Sequence, residues 1–265
     1  MGIVNLATFS NTASYADKNV ISNMRNVEVL QDLLVFVIPT IIFSFLVSRN
    51  RLQYLQMNKM GNLRLLLLGA VTMLASIPLI NFLGELNQMI PLPDFLQHLE
   101  QEGDALEAAF EQQHTIHDLL SNLFVMALFA GFSEELFFRA GLQKILIKMA
   151  KNIHIGIWLT AAIFSAIHLQ FSGFIPRMLL GVFLGYLYVW SGSLWVSVFA
   201  HFMFNGSQIL AAYLQTDKSN ASTGVFSETP GYAFIIVSTL LVTALLMRAY
   251  KVSQKKDDEV IVTSE

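Results

Sequence analysis

From Leu33 onward the chain returns repeatedly to long, nearly uncharged apolar runs. About 20 such residues are what a helix needs to cross a bilayer. Hydrocarbon offers the backbone no hydrogen-bond partners, so such runs must close their amides on themselves as helices. The runs are Leu33 to Val47, Leu65 to Leu83, Leu119 to Leu142, Ile155 to Phe171, Ile175 to Trp190, Leu194 to Leu214 and Tyr232 to Met247. They predict an all-α, polytopic membrane bundle of about seven transmembrane helices. Only 13% of the residues are charged, against about 25% in soluble domains. No repeat divides the 265 residues, which read as one membrane-embedded domain with a polar tail over 1–27 and a charged tail over 248–265.

Basic residues come in groups of four: Arg49, Arg51, Lys59 and Arg64 after the first run; Arg139, Lys144, Lys148 and Lys151 with the third; Arg248, Lys251, Lys255 and Lys256 after the seventh. Cytoplasmic ends of membrane helices carry such cations. The N-terminus is therefore expected outside and the C-terminus in the cytoplasm, in a plasma membrane. Gly84 to Asp118 holds eight acids and neither Lys nor Arg, as an external loop would. Within it Phe95, Leu99, Leu106 and Phe110 recur at near-helical spacing, which predicts an amphipathic segment on the membrane surface. There is no cysteine, hence no thiol nucleophile or thiolate metal site. The chain shows no basic stripe with interleaved aromatics, so nucleic acid is not an expected partner.

The strongly polar residues inside the runs are few: Glu134, Glu135 and Arg139 in the third, His168 in the fourth, His201 and Asn205 in the sixth. His98, His114, His117 and His154 fall in loops or at an edge and read as solvated. Ionisable groups inside a span are costly and functional by default. Glu135 and Arg139 are four apart and share a helical face, with the acid on the favourable N-terminal side. Glu134 projects about 100° away and is the carboxylate left for chemistry. His201 and Asn205 also share a face. A buried carboxylate with a histidine is suited to activating water, and a second histidine with an amide to stabilising an oxyanion. The same Glu134, His168 and His201 are alternatively ligands for one divalent metal such as zinc, leaving a position for water.

Glu134-Glu135-x-x-x-Arg139, Phe164-x-x-x-His168 and His201-x-x-x-Asn205, in this order on successive apolar runs, resemble the CPBP (Abi) family of intramembrane proteases. That family includes CAAX prenyl endopeptidases and bacterial proteins linked to bacteriocin processing and self-immunity. The resemblance implies that Glu134 and His168 activate the water and that His201 and Asn205 stabilise the oxyanion. Glu135 and Arg139 would support them, and the substrate would be a membrane-associated or lipidated peptide, or a membrane-protein segment. Metal dependence stays open between branches of the family. Three rivals stand beside this reading: a rhomboid-like nucleophile at Ser133, a proton-coupled transporter and a non-enzymatic immunity or adaptor protein. Against the first, Glu134 stands where the glycine after the serine belongs. Against the second, the paired broken helices of a transporter are missing.

Overall fold

The computed structural model describes residues 18–97, 100, 115–215 and 231–262, and among these no strand occurs. Helix α1 runs over residues 18–47 as Lys18–Asp32, a wide π-helical stretch Leu33–Val37 and Ile38–Val47. The last part of the expected polar tail is thus helical and continuous with the first span, which begins at Ile21 rather than Leu33. The second run is a broken pair, α2 (Leu63–Ala75) and α3 (Ile77–Gln88), bent by 43°. Pro78 lies at the break and denies the ladder one amide hydrogen. Helix α4 covers Ile116–Ala150, α5 Ile153–Ala166, α6 Phe174–Ser191, α7 Leu194–Gln215 and α8 Tyr232–Val262. Most of the expected amphipathic stretch, including Leu99, Leu106 and Phe110, lies outside the described residues.

A helix stands for each of the seven expected spans, but their lengths and apolarity differ. By length and composition, four of the described helices are suited to crossing a membrane, and five if the bent pair is one span. Helix α7 is long, yet its His201, Asn205 and Gln208 dilute its apolarity. Helix α5 stops at Ala166 after 14 residues, about 21 Å of rise and short of a ~30 Å hydrocarbon core. Large apolar side chains on the outer faces, such as Leu46, Phe234 and Leu240, are exposed in the bundle, as a surface bathed in lipid requires.

Helices α2, α3, α6, α7 and α8 share one core around Leu65, Met73, Leu184, Leu187, Val196, Ala200 and Val242. A second cluster, Val37, Leu136, Ala140, Tyr188, Leu194 and Val198, ties α1 and α4 to α6 and α7. Close approach of backbones sets the vertical register. A Cβ on Gly156 of α5 would lie 2.7 Å from the Ile147 Cα of α4, and one on Gly181 of α6 would lie 3.1 Å from the Ala161 Cβ of α5. Small residues at helix crossings are the usual means of such contact in membranes.

Candidate active site

Because Gly156 rests on Ile147, α4 and α5 can be measured from one level. Glu134 is 13 residues above Ile147 on α4, and His168 is 12 residues above Gly156 on antiparallel α5, about 18–20 Å in either case. The two reach the same depth although His168 lies just past the end of its helix. After Ala166 the chain turns: Leu169 takes a left-handed conformation at φ 56°, and Phe171–Gly173 form a 3-10 turn. His168 folds back so that its Nδ1 is 2.7 Å from the Phe164 carbonyl, one of the orphan acceptors at a helix end. A carbonyl only accepts, so Nδ1 carries a hydrogen, and Nε2 is turned towards Glu134.

The third partner arrives from α7. Gly131 of α4 lies beneath the ring of His201, where a Cβ would sit 3.6 Å from its Cγ. Glu134 is held between the two imidazoles: Oε1 is 3.7 Å from His168 Nε2, and Oε2 is 3.7 Å from His201 Nε2. These separations exceed direct hydrogen-bond length.

Glu135 has closer company. Its Oε2 is 3.1 Å from Arg139 Nε, the expected pair, with both side chains fully buried. Its Oε1 is 3.0 Å from His201 Nδ1, a partner 66 residues away that no local pattern marks. The Arg139 guanidinium lies over the Phe164 ring at 5.1 Å, and Phe36, Phe138 and Phe164 close this flank against water. Asn205, one turn beyond His201, donates its Nδ2 to the Met126 carbonyl at 3.2 Å. It therefore sits on the same face as His201 with one amide hydrogen engaged on α4.

Three residues outside the expected set bear on this geometry. The buried Asn87 at the end of α3 donates Nδ2 to the Phe171 carbonyl at 2.7 Å and accepts from the Ile175 amide at 2.8 Å, clasping both sides of the turn that carries His168. Glu100 accepts from the Ser172 amide and hydroxyl, so the acidic segment is not wholly a solvated loop. On α1, the buried Asp32 meets Ser133. Arg25, Glu28 and Asp32 are three and four apart and form a polar stripe, a signal legible in the sequence; nothing local marks Asn87.

The donor chemistry of one carboxylate and two imidazole Nε2 atoms is that of a metal site, but the geometry differs. Among the described residues no three His, Asp or Glu side chains are gathered as a ligand set, and Glu134 addresses the two rings through different oxygens.

Residues 116–207, which carry all of these polar groups except Arg25, Glu28, Asp32, Asn87 and Glu100, match the model of the type II CAAX prenyl endopeptidase family, Rce1-like. The uncharacterized protein YpbD of Bacillus subtilis (strain 168) is 29% identical over 131 residues, which is 47% of this chain and 62% of that relative. The chain thus spans less than two thirds of the relative's length. No solved structure matches.

Proposed function

We propose, from the match of residues 116–207 to the type II CAAX prenyl endopeptidase model, Rce1-like, that the protein is an intramembrane endopeptidase that hydrolyses a peptide bond of a membrane-associated or lipidated peptide. The observation that carries this reading is the suspension of Glu134 between two imidazole Nε2 atoms, 3.7 Å from each. Glu134 and neutral His168 both present acceptors, so a water between them donates one hydrogen to each. Its oxygen lone pair is thereby directed at a carbonyl carbon lying on the far side.

The charges support a division of labour between the histidines. Glu134, Glu135 and Arg139 sum to one negative charge, and His201 is the histidine that touches Glu135 and faces Glu134. A proton on His201 neutralises the cluster and leaves Nε2–H as a donor, while Nδ1–H stays on Glu135. That donor and the second amide hydrogen of Asn205 stabilise the oxyanion of the tetrahedral intermediate. As water attacks, Glu134 takes its proton. The C–N bond then breaks, and Glu134 returns the proton to the departing nitrogen. Atoms balance, and no acyl-enzyme forms. Ser133, engaged with Asp32 and Ala130, is not placed as a nucleophile.

The test is cleavage of a membrane-tethered reporter peptide by purified protein in liposomes. Glu134→Gln is expected to remove at least about 1000-fold of the rate, since both nucleophile activation and proton return are lost, with the folded state intact. A variant that cleaves normally removes Glu134 from the chemistry. Elemental analysis of active enzyme decides the metal question: stoichiometric zinc whose removal abolishes cleavage replaces the metal-free scheme. The transporter and adaptor readings predict no cleavage at all.

A further inference from the structure

One buried acid takes no part in this reaction. Asp32 of α1 is 4% exposed, and its Oδ2 lies 2.7 Å from Ser133 Oγ, in the residue before Glu134. The same Oγ lies 3.0 Å from the Ala130 carbonyl. A hydroxyl carries one hydrogen, and a carbonyl oxygen only accepts. With Asp32 ionised, Ser133 faces two acceptors competing for that hydrogen. With Asp32 protonated, the acid donates to Oγ, Oγ donates to Ala130, and each contact is a full hydrogen bond.

The surroundings favour the second arrangement. Charged side chains whose fields reach Asp32 are Glu134, from the packed α4, and Glu28 on α1. Arg25 is engaged with Asp118 at 3.2 Å and Asn122 at 2.9 Å. Among the described residues no cation forms an ion pair with Asp32. An unpaired carboxylate inside a span is costly, and a second negative charge beside Glu134 adds repulsion.

We propose that Asp32 is a positioning residue of the site that works as a neutral acid: by donating to Ser133 it pins the turn of α4 from which Glu134 projects, without adding a charge there. Its effect on cleavage rests on the protease reading above, whereas its protonation state does not. Glu134 then remains the one ionised carboxylate facing the water.

Infrared difference spectroscopy on the whole protein in nanodiscs at neutral pH tests the charge state, because a protonated carboxyl has a C=O stretch distinct from that of a carboxylate. The expected result is an acid band that persists in Glu134→Gln, vanishes in Asp32→Asn and moves to higher frequency in Ser133→Ala, where it loses its acceptor. In the cleavage assay Asp32→Asn should keep kcat within about threefold and leave the pH profile unmoved, since its amide still donates to Ser133. Asp32→Leu should lower kcat by about tenfold or more with little change in KM, through misplacement of Glu134. Absence of the band in the natural protein overturns the proposal, as does an Asp32→Asn rate as low as that of Glu134→Gln, which would make Asp32 an ionised relay. If Asp32→Asn fails to fold, the band of the natural protein and its shift in Ser133→Ala decide. If no variant cleaves anything, the spectrum still stands, so failure of the protease reading and failure of this proposal are told apart.

Discussion

Glu134 and Glu135 are neighbours in the chain and opposites in setting. Glu135 is fully buried, in direct contact with Arg139 on one oxygen and His201 on the other, 3.1 and 3.0 Å away. Glu134 looks towards two imidazoles and touches neither, at 3.7 Å from each. A carboxylate ion-paired on one oxygen and in hydrogen-bond contact on the other is part of the frame, whereas one whose partners stand a fraction of an ångström too far has room for a reactant. The 100° between adjacent helical residues separates these roles, and His201, touching one acid and facing the other, links them.

Breaking the frame should produce the largest loss. Glu135→Gln leaves the Arg139 charge buried without its counter-charge, which costs about 3–5 kcal/mol. It also weakens the hold on His201, so thermal unfolding in detergent and cleavage should both fall. A variant as stable as the natural protein would show that Arg139 finds another partner. Asn205→Ala comes next. If its second amide hydrogen serves the oxyanion, kcat drops by about 100-fold with folding intact; a drop of only a few-fold reduces Asn205 to an anchor for Met126. The smallest effect belongs to the far side of His168. Asn87→Ala strands the Phe171 carbonyl and the Ile175 amide, at about 1–3 kcal/mol, and should lower kcat about tenfold by loosening the turn. Unaltered kcat would mean that Phe164 alone holds the ring.

Much of the site was legible before any fold was known, because lipid makes polar residues conspicuous. Against apolar runs, Glu134, His168, His201 and Asn205 stand out by type, and the four-residue spacing of Glu135 and Arg139 gives their pairing outright. Depth was harder. The expected fourth span, Ile155 to Phe171, puts His168 near its outer end; the helix instead stops at Ala166. The contact that levels it with Glu134 is that of Gly156 with Ile147, which no periodicity reports. Asp32 stands one residue before an apolar run, where an acid reads as the helix's wet end; only its spacing from Arg25 and Glu28 marks it.

The sequence by itself determined the membrane helices, their order and the polar side chains they carry. Desolvation enforces those locally: an apolar run must be helical in lipid, and an ion within it must be paired. Only the tertiary structure decided which ion faces which. The level of α5 against α4, the closure of His201 onto Glu135, and the approach of Asp32 to Ser133 across 101 residues depend on how closely backbones pack. That closeness is set by the few small residues at the crossings and by the turn that ends α5.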